Sequence, residues 1–196
     1  IWKGNRTGAK VKLDLPTDTT PDFYRDWLVV KRRTPWTIGG HTHPPDTLLG
    51  IALSAFLDGN RSFQVLFEPG DRRALQGFFW NHGNLVLSIL DELRPVFEVL
   101  TPSASGWSRG TLPGLPEIGV VNVWRLDMEE AEGNGDLLAN AQDPITPSTL
   151  SLIEHGKAPV ILKQAPKTFS AHGLVVTQHE AVSVDGERIP YVQVGP

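Results

Sequence analysis

The chain has 196 residues, 40% of them hydrophobic, which suits one domain with a substantial core. A formal net charge of -4 argues against a whole-chain electrostatic grip on nucleic acid, and the absence of cysteine excludes a disulfide framework, a Cys-based zinc site and a cysteine nucleophile. No apolar run approaches the roughly 18 residues of a membrane span and no signal-peptide pattern is seen, so a soluble chain without a membrane address is expected.

Charged residues are only 20% of the chain, with 19 glycines and 16 prolines, a balance that favours many short strands joined by loops. The charge is uneven. Residues 1 to 33 carry Lys3, Arg6, Lys10, Lys12, Arg25, Lys31, Arg32 and Arg33, whereas Glu117 to Asp136 is an acidic stretch. From Ala9 to Leu15, Val11, Leu13 and Leu15 alternate with Lys10, Lys12 and Asp14, the period of a half-buried strand. Pro16 to Pro21 reads as a loop, Phe23 to Lys31 as a strand, and Arg32 to Pro45 as a second loop rich in Gly and Pro. Thr47 to Leu57 is nearly all apolar and is either a buried strand or a short helix. Asp58-Gly59 then marks a hairpin, which pairs Thr47 to Leu57 with a strand from Arg61 to Phe67.

The stretch from Arg61 to Trp107 is the centre of this reading. Pro69, Pro95 and Pro102 interrupt any long helix, and the apolar residues run in clusters, so three strands are expected around one insert. The insert, Asp71 through Trp80, reads as a short helix with Asp71 as its cap. Val120 to Leu126 is a clear strand, Glu129 to Pro147 an acidic surface loop, and Thr149 to His155 a short helical turn. Val160 to Lys163, Gly173 to Gln178 and Glu180 to Val184 supply further strands, with Asp185-Gly186 as a hairpin turn before Arg188 to Val194. The expected fold is all-β, an antiparallel β-sandwich of jelly-roll type with one or two short helices, and residues 1–196 form a single domain. The long connections Ser108 to Gly119 and Glu129 to Pro147 are read as crossings between sheets.

The sharpest local motif is Gly39-Gly40-His41-Thr42-His43, followed by His82. An H-x-H on a strand directs both imidazoles to one face, which suits a metal. The arrangement resembles that of cupins, and the resemblance implies His41, His43 and His82 as ligands. Thr47 and Leu48 stand where cupins place a glutamate. The JAMM-type metalloprotease pattern is unmet, with Ile51 and Ser54 at its serine and aspartate positions. The competing reading is that both histidines sit in an exposed Gly/Pro loop. Gly106-Trp107-Ser108-Arg109-Gly110 has the G-x-S-x-G spacing of a nucleophile elbow without a strand-to-helix turn, and is read as a surface loop. Asn5-Arg6-Thr7 and Asn60-Arg61-Ser62 match the glycosylation pattern. Trp2 and the basic start could contact nucleic acid, or Lys10 and Lys12 could be the wet face of an edge strand.

Taken whole, FQVLFEPGD, the insert and NLVLSILDELRPVFEVLTPSASGW, together with the opening IWKGNRTGAKVKLDL, resemble the jelly roll of picorna-like (plant secovirus-like) virus capsid proteins. The resemblance implies a non-enzymatic coat protein without cofactor. It would assemble with other capsid subunits into an icosahedral shell enclosing RNA, in the virion and, during assembly, the host cytoplasm. It further implies Lys3, Arg6, Lys10 and Lys12 facing RNA, and Trp36 and Trp107 at subunit interfaces. The alternative is a cupin-like metal-dependent enzyme or binding protein using His41, His43 and His82, and the two are separated by whether these histidines meet at a metal.

Overall fold

The computed structural model describes residues 2–3, 10–129, 133–155 and 157–196. The chain divides into two compact units, Ile1–Asp71 and Arg72–Pro196.

In the first unit, β1 (Trp2–Lys3) pairs with β2 (Val11–Lys12), and β3 (Thr19–Tyr24) turns through Arg25, at φ 50, into β4 (Trp27–Arg32). The loop expected after Arg32 contains a hairpin, β5 (Trp36–Ile38) and β6 (His41–His43), joined by Gly39-Gly40. Both glycines have positive φ, 59 and 80, which is the backbone of a two-residue hairpin turn. Thr47 to Leu57 proves to be strand and helix in succession. β7 (Leu48–Ala52) is followed by α1 (Leu53–Leu57), whose first turn is tied by Asp26: its carboxylate accepts from the Ser54 N–H at 2.9 Å and the Ser54 hydroxyl at 2.5 Å. Asp58-Gly59 therefore closes a helix instead of a hairpin, yet β7 still pairs antiparallel with β8 (Gln64–Phe67), as expected. The sheet order is β3-β4-β7-β8. Leu28, Val29 and Val30 are buried in succession, so central β4 is covered on both faces, and Leu28 and Val30 join Leu13, Leu15, Leu49, Ile51, Leu53 and Phe56 in one core cluster.

In the second unit, β9 (Arg73–Asn81), β10 (Asn84–Asp91), β11 (Arg94–Ser103) and β12 (Gly106–Thr111) form a four-stranded antiparallel meander. The insert read as a helix is β9. Its register against β10 slips between Ser88 and Ile89, leaving Gln76 as an extra residue, and this bulge breaks the alternation by which a strand would be recognised. The β-favouring run Phe78-Phe79-Trp80 then carries the strand into the turn His82-Gly83. A second meander is built from β13 (Val120–Arg125), β14 (Leu137–Gln142), β15 (Thr149–Ile153) and β16 (Val160–Gln164). The acidic loop thus contains β14, and the segment read as a helical turn is β15, paired with β14 from Leu137↔Ile153 to Ala141↔Thr149. The last two strands, β17 (Val175–Val182) and β18 (Arg188–Gly195), form a hairpin around Asp185-Gly186, as expected.

Among the described residues the all-β, antiparallel class with one short helix is borne out. Within the sheets the strands follow in chain order, apart from the β5–β6 excursion between β4 and β7. Of the two long connections read as crossings between sheets, residues 112–119 do lead from one sheet to the next, from β12 to β13, whereas residues 126–136 join neighbours β13 and β14 of a single sheet.

Candidate functional site

His41 and His43 lie on β6 in the first unit, opposite Ile38 and Trp36, with ring centroids 6.5 Å apart. His82 belongs to the second unit, where with Gly83 it forms the two-residue turn between β9 and β10, at φ 45 and 84, and its Nε2 meets the Gly133 carbonyl. Among the described residues no group of three or more His, Cys, Asp or Glu side chains is placed to hold a metal. The spacing of the histidines reflects two hairpin turns.

Trp36 is half-buried against the first unit's core, with Phe63 at 5.4 Å between ring centroids and the Arg32 guanidinium 5.5 Å from its own. Trp107 is half-buried too, its ring 5.9 Å from that of Trp80. Lys10 and Lys12 are exposed; Arg6, the Asn5 motif and the Lys3 side chain lie outside the described residues. Asn60 spends its side-chain oxygen on the Ser62 N–H at 2.7 Å, a turn contact. Ser108 sits within β12, so the G-x-S-x-G spacing falls on a strand and makes no elbow.

One concave feature with an apolar floor and a polar rim lies within the second unit. A cavity of about 190 Å³ has an apolar floor of Val86, Val99, Leu137 and Ile153, and a polar rim that includes Asn81, Asn84 and His155. The floor follows from the meanders, since β10 and β11 present the two valines and paired β14 and β15 present Leu137 and Ile153. The rim is braced. The Asn81 amide donates to the Gly135 carbonyl at 2.8 Å, the Thr101 hydroxyl donates to Asn84 Oδ1 at 2.5 Å, and the His155 N–H donates to Asp136 Oδ1 at 3.3 Å. Such a groove can receive a small apolar side chain beneath amide donors and acceptors. Among the described residues the one hydroxyl–imidazole contact is Thr177 Oγ1 to His179 Nε2 at 2.8 Å, on the exposed face of β17, and the ring there stacks on Tyr191 without a carboxylate orienter.

Three charge clusters brace the sheets. Asp18 accepts from the Thr34 hydroxyl at 2.6 Å and from Arg32 at 2.7 Å, and these two partners hold its carboxyl below the usual range. Glu98, nearly buried on β11, bonds Arg73 at 2.5 Å and also Arg109, joining β9, β11 and β12 on one face. Arg72 bonds Glu180 and, at 3.2 Å, Glu92, which raises the guanidinium pKa above its ordinary value. Glu180 is correspondingly held low, chiefly by Arg72 and then by Arg188. Sequence reading missed all three clusters, because the pairs bridge up to 108 positions and only the strand register brings them together.

No family model matches the chain. It is 27% identical to an uncharacterised peptidase of Sinorhizobium fredii over 97% of its own length and 26% of that protein. It is 21% identical to an uncharacterised peptidase of Rickettsia prowazekii over 92% of its length and 25% of that protein. The backbone superposes on a post-proline cleaving enzyme from Rickettsia typhi with a TM-score of 0.76 at 19% identity, covering 98% of this chain and 28% of that one. A prolyl endopeptidase structure gives a TM-score of 0.63 at 15% identity, over 90% of this chain and 24% of the other. The chain spans about a quarter of the length of these relatives.

These findings overturn the coat-protein reading. The relatives are peptidases, so the shell, the virion and host-cytoplasm location, the capsid-subunit and RNA partners and the non-enzymatic role all lose their support, and the cupin-like alternative falls with them. The resemblance arose because strand runs closed by Pro-Gly turns and aromatic ends are common to antiparallel sheets of many folds.

Proposed function

We propose that these 196 residues form part of the β-sheet scaffold of a peptidase that cleaves peptides after proline. The observation that carries this reading is the backbone match at TM-score 0.76, over 98% of the chain, to a protein described as a post-proline cleaving enzyme. The peptidase relatives in two bacterial genera support it from sequence. The sheets fit as well: a four-stranded antiparallel meander is the repeated unit of β-propellers, and β3-β4-β7-β8, β9 to β12 and β13 to β16 are each of that blade-like kind.

Peptide hydrolysis needs a nucleophile, a base in hydrogen-bond reach and a group that orients the base. We assign these to other parts of the polypeptide. The 196 residues contribute sheets, and the groove floored by Val86, Val99, Leu137 and Ile153 offers an apolar floor for a peptide side chain. The test is a chromogenic peptide assay on the complete polypeptide that carries this chain. Release of the chromophore following proline, faster than from the alanine counterpart, supports the assignment. Equal rates for the two, or none from a folded preparation, refute it.

A further inference from the structure

Asparagine followed by glycine carries a chemistry of its own. The main-chain nitrogen of the glycine attacks the side-chain carbonyl carbon of the asparagine and closes a succinimide ring. Glycine favours the step because it has no Cβ to shield that nitrogen. Of the seven asparagines in the chain, Asn134 alone precedes a glycine, Gly135; Asn5 and Asn60 precede arginines, and Asn81, Asn84, Asn122 and Asn140 precede His82, Leu85, Val123 and Ala141. The reaction is intramolecular and asks for nothing beyond water, so the groups it needs are all within residues 134–135.

The local geometry folds the Asn134 side chain back along the Gly135 peptide unit. Both of its hydrogen bonds pass Gly135 and end on Asp136: Oδ1 accepts from the Asp136 N–H at 3.1 Å, an Asx turn, and Nδ2 donates to Asp136 Oδ2 at 2.8 Å. Gly135 has φ 85, and a Cβ there would crowd His82 Cβ at 3.3 Å, so backbone and space both reserve the position for glycine. The same residues join neighbouring turns. The Gly135 carbonyl accepts from the Asn81 amide at 2.8 Å, the Gly133 carbonyl meets His82 Nε2, and Asp136 Oδ1 accepts from the His155 N–H at 3.3 Å.

We propose that Asn134 is a self-modifying site, deamidated through a succinimide, and that its conversion releases residues 133–136 from the β9–β10 turn and from His155. In the first step the Gly135 nitrogen bonds Asn134 Cγ and the Cγ–Nδ2 bond breaks. The proton lost by the Gly135 nitrogen, relayed by water, leaves with Nδ2 as ammonia. Water then opens the ring at either carbonyl, giving aspartate or isoaspartate, so the balance is one water in and one ammonia out. Either product undoes the contacts. Aspartate puts a carboxylate where the Nδ2 donor stood, at hydrogen-bond distance from the Asp136 carboxylate, and the like charges repel. Isoaspartate routes the main chain through the side chain and lengthens it by one methylene, which carries the Gly135 carbonyl off the Asn81 amide.

Peptide mapping by mass spectrometry on the complete polypeptide, aged in mildly alkaline buffer, tests the site. The peptide carrying Asn134 should exchange NH for O about tenfold faster than any other asparagine peptide, a barrier difference of about 1.4 kcal/mol. It should also become a substrate for a protein isoaspartyl methyltransferase, a signal lost in Asn134→Gln, whose longer side chain closes the ring poorly. Hydrogen exchange on the aged fraction reads the consequence. The amides of residues 133–136 and of His155 should exchange about tenfold faster than in fresh protein, while those of β10 and β11 keep their protection. An Asn134 still intact after ageing, a methylation signal undiminished in Asn134→Gln, or a converted fraction that keeps the protection of residues 133–136 would overturn the proposal.

Discussion

Single residues decide several features that their local sequence only hints at. Gly39 looked like part of a metal motif because two histidines follow it, but its role is backbone geometry: φ is 59, and a Cβ there would stand 2.6 Å from the Arg61 carbonyl oxygen. Gly39→Ala should therefore cost roughly 1–3 kcal/mol, read as a lowered denaturation midpoint. Leu87 is fully buried at the middle of β10, and Leu87→Ala should cost about 2–5 kcal/mol by the same measurement. Asp18 predicts a pH effect. Its folded pKa is depressed by the Thr34 hydroxyl and Arg32, so its contribution is present above the ordinary value of 3.8 and is lost as pH falls through the lower folded value. The stability difference between the unmodified protein and Asp18→Asn should be constant near neutrality and shrink in acid below pH 3.8. None of the three roles is visible in a run of neighbouring residues, because each depends on a partner brought close by folding.

Elements were legible where one signal dominated. β10 and β11 carry apolar runs broken only by Ser88 and Glu98, β13 a β-branched run, and the last hairpin the turn pair Asp185-Gly186, and all of these were readable. β9 was misread because its bulge at Gln76 spoils the alternation and Asp71 imitates a helix cap. β14 and β15 were missed because Leu137–Gln142 is short and framed by acids and amides, so cross-strand pairing outweighs local composition. Glu98 shows what pairing adds at this scale. Its side chain takes arginines from β9 and β12, and both arginines stay about a third to a half exposed. Glu98→Gln should accordingly lower stability by only about 1 kcal/mol after solvent screening, and less at high salt, measured by chemical denaturation.

At the scale of the whole molecule, composition and patterning established the all-β antiparallel class and stopped there. Pro-Gly turns, aromatic strand ends and a basic start are shared by unrelated β folds, so the motifs that resembled a coat protein carried no information about function. The groove of the second unit was illegible for a different reason: Val86, Val99, Leu137 and Ile153 come from four strands spread over 68 positions, from 86 to 153, and only their register makes a floor of them. The likeness of this fold to post-proline cleaving enzymes is what turns a set of meanders into a hypothesis about chemistry. Its most direct test is to incubate the complete polypeptide with a peptide containing one internal proline and to identify the fragments by mass spectrometry. The account predicts a cut on the carboxyl side of that proline, and no cut when alanine replaces it. An intact proline peptide in the presence of folded protein, or cutting that ignores proline, would contradict it.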